Sequence, residues 1–362
     1  MEASGIALSL PVMDFAFDPE LASAETLPSR CYTDPAILAR ERHRIFGRSW
    51  QWVGHADQVS QPGSRFHSEV GGEPILVLKD DEGRLRAFSA VCRHRAGRVG
   101  GEGKTLKCAY HGWTYDLNGR LLGAPEFEGV KGFDKAACRL PEFQVEAWGP
   151  WVFVNLDPAS PSLAEVLAEI LPETAHWPLA GLKAIHTLDY DLACDWKVYV
   201  DNYLEGYHIP VAHPELFRQL DFGAYRVETR RWHSRQHAPV KGAGTLYHRD
   251  LAEGVEPEAL YYWLFPNLMV NVYPDHVQLN LIQPLGPGRC RTHFAWFAES
   301  GKKLDLTENL AFSDLVQQED ISLCEAVQQG LASSTYDRGR YSAKRENGVH
   351  HFHQLWVEMM KS

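Results

Sequence analysis

The sequence predicts an α+β protein: a small all-β domain over residues 41–158, then a larger domain over 159–362 with helices packed on one face of an antiparallel sheet. Three observations predict it. At 362 residues the chain is long for one core and suggests two domains. Its first half carries short β-rich runs, EPILVLKD, LRAFSAVC and WVFVNLD, broken by Gly, Pro and Asp. Its second half alternates such runs with segments of helical period.

Residues 1–40 read as an N-terminal segment packed on the larger domain, with a short helix at DPAILARERHRIF. The basic run RERHRIFGR reads as a solvated helix face, able at most to dock an acidic electron donor. The text from SWQWVGHADQV to WVFVNLD supplies the strands of the small domain. SLAEVLAEILPETAHW predicts a helix closed by Pro172, and DWKVYVDNYLEGYHIPVAHPELF a helix that breaks near Pro210. Strands are expected at YRVETRRWHS, ALYYWLFPNLMVNVY, HVQLNLIQPL and CRTHFAWFAE. A long helix follows over about 306–332, and the tail ends in a helix from His350 onward. That amphipathic tail explains His350, His351 and His353 of HHFH without a metal.

Composition excludes several function classes. The formal net charge of −11 argues against nucleic-acid binding, which needs clustered Lys and Arg. No apolar run is long enough to span a bilayer. The first thirty residues carry acids and no basic residue before Arg30, unlike a secretory signal or transit peptide. Seven cysteines, an odd number in a large chain, fit a reducing cytoplasm. Five of them, Cys31, Cys138, Cys194, Cys290 and Cys324, stand alone as small hydrophobes.

The other two belong to a motif. CRHRAGRVGGEGKTLKCAYHGW holds Cys92-x-His94 and Cys108-x-x-His111, with thirteen residues between His94 and Cys108. Four such ligands can hold zinc or a [2Fe–2S] cluster. Zinc fingers usually pair Cys with Cys and His with His. Here each pair mixes one of each, as a Rieske centre needs with two thiolates on one iron and two imidazoles on the other. Gly97, Gly100, Gly101, Gly103 and Gly112 let two loops fold over such a group.

CRHRAG…KCAYHGWTYDLNGRL resembles the Rieske domain of the Rieske non-haem iron oxygenase large (alpha) subunits. The family usually has a few more residues between the His and the second Cys. The respiratory Rieske type adds a disulfide between the loops, and the corresponding positions here are Gly97 and Tyr110, so the resemblance implies a cluster of lower potential. It also implies a helix-grip (START-like) catalytic domain with a mononuclear Fe(II).

DNYLEGYHIPVAH supplies that second centre. His208 and His213 are five apart, which does not share a face of a regular helix, but Pro210 bends the chain between them so that both imidazoles converge. Two His need a carboxylate to complete a facial triad. In FSDLVQQEDISLCEAVQQGL, Phe312, Val316, Leu323, Val327 and Leu331 form an apolar arc; Asp320 falls inside it and Glu319 at its edge. A carboxylate on a buried stripe is costly unless it binds something, so Asp320 is expected as third ligand, in agreement with the family. Glu205 lies three residues before His208, on the same helical face. In the family an acid here, more often Asp, bridges one subunit's Rieske His to a neighbour's mononuclear iron. The resemblance therefore implies a homotrimer, with electrons from NAD(P)H through a separate reductase.

YYWLFPNLMVNVYPDHVQLNLIQPLGPG and QQEDISLCEAVQQGL resemble the choline, carnitine and glycine-betaine monooxygenase branch. That implies a terminal oxygenase that uses O2 to hydroxylate, demethylate or cleave a quaternary ammonium compound. Tyr261, Trp263 and Phe265 alternate, so all three are expected on one strand face, as an aromatic box for the cation or as an aromatic core. An aromatic ring-hydroxylating dioxygenase or an O-demethylase would use the same metals, and a pure Rieske electron carrier is the non-enzyme alternative.

Overall fold

The computed structural model describes residues 16–175, 177–241, 258–273, 275–301 and 306–361. The first fifteen residues, on which part of the leader expectation falls, lie outside them. The small domain opens with β1 (Gln51–His55), β2 (Arg65–Val70), β3 (Glu73–Lys79) and β4 (Leu85–Ser89). Four short strands follow, β5 (Val99–Gly100), β6 (Leu106–Cys108), β7 (Thr114–Tyr115) and β8 (Leu121–Gly123), then β9 (Glu142–Trp148) and β10 (Trp151–Asn155). They make a six-stranded sheet in the order β1-β10-β9-β4-β3-β2 and a four-stranded sheet β5-β6-β7-β8 that carries the motif loops.

The larger domain is a seven-stranded antiparallel sheet. Its members are β11 (Leu182–Leu192), β12 (Arg226–Thr229), β13 (His233–Pro239), β14 (Glu258–Leu264), β15 (Leu268–Val272), β16 (Val277–Gly286) and β17 (Arg289–Glu299), in the order β11-β17-β16-β15-β14-β13-β12. Four longer helices complete the chain: α1 (Pro35–Arg44), α2 (Trp196–Tyr203), α3 (Thr307–Leu331) and α4 (Asn347–Lys361). Asp34 caps α1, accepting from Ala36 N at 2.8 Å, and Asp195 caps α2, accepting from Lys197 N at 3.0 Å. One sheet face packs on the helices through Trp263, Met269 and Ile282, which meet Trp196, Phe352 and Trp356. The opposite face meets the small domain, with Leu279, Leu281 and Phe297 against Trp52, Trp148 and Trp151.

Several expectations need correction. SLAEVLAEILPETAHW forms two short helical pieces, Leu163–Val166 and Ile170–Thr174, with Pro172 inside the second rather than closing one helix. The helix at DWKVYVDNY ends at Tyr203, well before Pro210. Strand β11 was not expected from its text; it is an edge strand with five successive exposed residues, 185–189, and a half-buried Tyr190 after them, so its apolar alternation is weak. The basic run is not a solvated face: Arg40 and Glu41 are buried. Glu41 accepts from Trp196 Nε1 (2.8 Å) and Trp356 Nε1 (2.6 Å) and pairs with the buried Lys197 at 2.7 Å, so α1 is bolted to α2 and α4. All seven cysteines are free thiols, but they are not all isolated: Cys194 Sγ lies 3.7 Å from Cys290 Sγ.

Candidate metal centres

The first centre sits at the tips of two loops. Each loop closes on itself: Cys92 N donates to Gly97 O at 2.8 Å, and Cys108 N to Trp113 O at 2.8 Å. Gly112, with φ of 71°, makes the second turn in the left-handed region where a side chain is disfavoured. Both thiols point into a buried cluster with Phe88, Trp113 and Tyr115, while His111 lies exposed at the rim. The His94 ring stacks on Trp113 with centroids 5.0 Å apart and meets His111 at 4.7 Å. Burial pushes the Cys92 thiol up, partly offset by the Tyr115 hydroxyl at 3.3 Å. A Cβ on Gly97 would come within 2.8 Å of Cys108 Sγ and 3.1 Å of Tyr110 Cβ, so the loops touch there without any bridge.

These residues fit a Rieske cluster on their own chemistry. Two thiols are shielded from water, two imidazoles flank them, and the buried Nδ1 of His94 has no protein partner. An orphaned imidazole nitrogen inside a thiol-lined loop is what a metal group would satisfy.

The second centre lies where α2, α3 and the segment between α2 and β12 converge. A single helical turn, Ile209–Ala212, has His208 at its N-terminal cap and His213 at its C-terminal cap. Pro210 sits inside that turn, where its missing N–H costs nothing. The two rings lie 5.0 Å apart. Asp320, on α3, places Oδ1 3.0 Å from His213 Nε2 and 3.9 Å from His208 Nε2. One ligand atom from each of His208, His213 and Asp320 lies within 4.8 Å of the others. That is a two-histidine, one-carboxylate donor set suited to a non-haem iron.

Carboxylates hold the far side of both imidazoles. Glu205 Oε1 is 2.5 Å from His208 Nδ1, and Glu319 Oε2 is 2.6 Å from His213 Nδ1. Each fixes its ring so that Nε2 faces the centre. Burial disfavours charge on His213, but its hydrogen bonds and charges with Asp320 and Glu319 outweigh that and hold it above its ordinary value. Asn202 Nδ2 donates to Asp320 Oδ1 at 2.6 Å and fixes the carboxylate.

Some of these residues reach the centre by a different route from the one their spacing suggests. Glu205 is not on a helical face shared with His208. It lies in the turn after α2, and its Oε2 also accepts from the backbone of Tyr207 and His208, so the turn itself delivers the contact. The apolar arc of α3 is only in part its buried face: Leu331 is buried and Phe312 and Val316 line a cavity with Asp320, but Val327 is 52% exposed and Leu323 37%, while Gln317 and Cys324 are buried. Glu319 and Asn202 were missed as partners. The acidic pair Glu319–Asp320 was their one legible signal.

Beyond the triad a cavity opens between the sheet and the helices. Tyr203, Tyr261, Tyr273, Phe294, Phe312 and the side-chain amides of Gln236, Asn271, Gln278 and Asn280 line it together with the triad and Glu205. Of the expected aromatic box only Tyr261 reaches it. Trp263 packs into the core against Phe352, with ring centroids 5.4 Å apart, and Phe265 lies beyond the end of β14 against Trp232. The three do share a side of the chain, but α4 covers that side beyond Tyr261. No helix among the described residues is long and apolar enough to cross a membrane.

Known proteins resemble the whole chain. The family profile of the ring hydroxylating alpha subunit (catalytic domain) matches residues 179–362, and that of the Rieske [2Fe-2S] domain matches 49–134. The chloroplastic choline monooxygenase of Arabidopsis thaliana is 36% identical, over 95% of this chain and 86% of the relative. The carnitine monooxygenase oxygenase subunit of Escherichia coli K12 is 29% identical, over 96% of each chain. The crystal structure of the quaternary ammonium Rieske monooxygenase CntA with L-carnitine superposes with a TM-score of 0.81 at 27% identity, covering 94% of this chain and 97% of that one. Naphthalene 1,2-dioxygenase from Rhodococcus shares the fold, with a TM-score of 0.76 at 19% identity over 93% of this chain and 94% of that one.

Proposed function

The chain belongs to the Rieske ring-hydroxylating oxygenase alpha subunits, and from that premise we propose that it is the terminal oxygenase of a monooxygenase acting on a quaternary ammonium compound of the choline, carnitine or glycine-betaine type. One observation carries the proposal. Two carboxylate-backed imidazoles and Asp320 converge at the wall of a cavity lined by aromatic rings, which suit a cation. Relatives named for choline and carnitine oxidation support the substrate class.

In this reading Cys92, His94, Cys108 and His111 hold the [2Fe–2S] cluster, and His208, His213 and Asp320 hold Fe(II). When bound, the cluster relays single electrons and the iron supplies dioxygen activation. The chain's own residues do the rest. Glu205 and Glu319 keep the imidazoles aimed at the metal. Asn202 holds the Asp320 carboxylate, and the aromatic wall keeps bulk water from the reacting C–H bond. Two electrons and two protons accompany O2; one oxygen atom enters the C–H bond and the other leaves as water.

The electrons come from NAD(P)H through a separate reductase, in the cytoplasm, and pass between subunits of a homotrimer. Glu205, already bonded to His208, is the bridge toward a neighbour's exposed His111.

A single turnover tests the function. The protein is reduced without oxygen, freed of reductant, mixed with carnitine, choline, glycine betaine, proline betaine or an aromatic acid, and then given O2. An oxidised or demethylated ammonium product is the expected result. Product from an aromatic acid alone would keep the chemistry and remove the substrate class. Cluster oxidation without any product would favour an electron carrier.

A further inference from the structure

The inner face of the seven-stranded sheet presents side chains in register rows. One row runs Gln236, Tyr261, Asn271, Gln278 across β13, β14, β15 and β16. The next runs Trp263, Met269, Asn280, Phe294 across β14 to β17. Four amides therefore face the cavity from a sheet whose neighbouring positions are apolar.

Three of them have protein partners. Gln236 accepts from the Tyr225 hydroxyl and donates to Tyr203 O. Asn271 Oδ1 accepts from the Tyr203 hydroxyl at 2.7 Å, and Gln278 Nε2 reaches Ser313 Oγ at 3.3 Å. Asn280 differs. It is 4% exposed, and its buried Oδ1 has no hydrogen-bond partner. A buried amide acceptor left alone among Met269 and Phe294 is destabilising unless something enters the cavity to meet it.

An amide offers one acceptor and two donors, whichever way it is turned. A hydroxyl can donate to the oxygen or accept from the nitrogen. A carboxylate can only accept, so it could meet the amide nitrogen alone and would leave the carbonyl oxygen unpaired. Apart from the two imidazoles, the ionisable acidic side chains among the described residues lining the cavity are Glu205, Asp320 and the tyrosine phenols, and no Lys or Arg among them offers a carboxylate a cationic partner.

We infer that Asn280 is the specificity-determining contact for the hydroxyl of a trimethylammonium alcohol of the choline class. This rests on the quaternary ammonium reading above and narrows it: the aromatic wall takes the cation, and Asn280 fixes the oxygen end.

The test is calorimetric binding to the cluster- and iron-loaded protein without oxygen, with choline, glycine betaine and propyltrimethylammonium, which replaces the hydroxyl by a methyl. The unaltered protein should bind choline about tenfold more tightly than propyltrimethylammonium. Asn280→Leu should close that gap by weakening choline alone, and Asn280→Ser, the smaller change, should restore part of it. Cluster absorbance and iron content, unchanged in both variants, establish that the site is assembled. Equal binding of choline and propyltrimethylammonium by the unaltered protein, or equal losses for both in Asn280→Leu, would overturn the role of Asn280 and leave the ammonium reading standing. Preference for glycine betaine over choline would overturn the hydroxyl assignment alone. Failure to bind any ammonium compound would overturn both readings together.

Discussion

Asp320 and Glu319 are neighbours on one helix yet do different work at the second centre. Asp320 Oδ1 faces the two Nε2 atoms, while Glu319 reaches round to the far nitrogen of His213 at 2.6 Å. Replacing Asp320 by Ala removes a donor and should empty the mononuclear site with the cluster intact. Glu319→Gln keeps a hydrogen-bonding group of equal length but no charge, so iron should bind about 10- to 100-fold more weakly rather than vanish. Iron titration followed by spectroscopy of the cluster separates the two; unchanged iron affinity in Glu319→Gln would remove its orienting role. The sequence grouped His208, His213 and Asp320 because each is an unusual residue for its surroundings. It could not reveal Glu319, whose role depends on how α3 is rotated against the His208–His213 turn. The helical wheel set that rotation from Leu323 and Val327, which are exposed. Apolar periodicity marks a face that avoids water, and a face awaiting a partner subunit carries the same mark as one turned to the chain's own core.

At the level of elements, the two motif loops and the long helix at α3 were legible because each has a strong local code, glycine-permitted turns in one and helical period in the other. At Gly97 the two loops are in close contact. A methyl at Gly97 would press on Cys108 Sγ at 2.8 Å, so Gly97→Ala should cost the cluster while the larger domain still folds; iron–sulfur absorbance and urea unfolding read the two separately. A normal cluster in that variant would show that the loops can part. β11 and the early end of α2 were illegible for opposite reasons: the first lies exposed at an edge, and the second continues as text that still looks helical while Gly206 approaches the Tyr225 ring too closely for a side chain. Two buried histidines, His233 on β13 and His351 on α4, set an acid limit. Burial holds His233 and His351 down to about 4, against an ordinary value near 6.5. Glu169, Arg230 and Arg235 surround the first; Arg231, His233, Glu358 and His350 surround the second. The unfolded chain therefore binds more protons between those values, and stability falls as pH drops from 6.5 toward 4, by up to about 1.4 kcal/mol per pH unit for each histidine. Replacing both by Gln should flatten the decline in urea midpoint from pH 7 to 5. An unchanged slope would place the acid sensitivity elsewhere.

Across the whole molecule the two centres present their exposed sides differently. His111 stands at the loop tip beside Tyr110, which is 58% exposed, and the turn holding His208 carries Tyr207 and Val211 at 60% and 87%. Apolar side chains so exposed beside both centres suit a subunit contact that brings one chain's cluster to another chain's iron. The proposed trimer then has a consequence that no single-subunit arrangement shares. A chain with Cys92→Ala lacks the cluster and keeps the iron site; a chain with Asp320→Ala keeps the cluster and lacks the iron site. Each alone should be inactive. Unfolded, mixed in equal amounts and reassembled, they should recover about a quarter of the normal rate, because random assembly puts a cluster-bearing donor beside an iron-bearing acceptor at about one interface in four. Glu205 gives the experiment its direction. Its carboxylate is bonded to His208 of its own chain, so Glu205→Gln should abolish the recovered activity when placed in the iron-bearing chain and leave it intact when placed in the cluster-bearing chain. Inactive mixed trimers would confine the electron to one chain, and equal loss from either placement would make Glu205 a prop for the fold instead of a bridge.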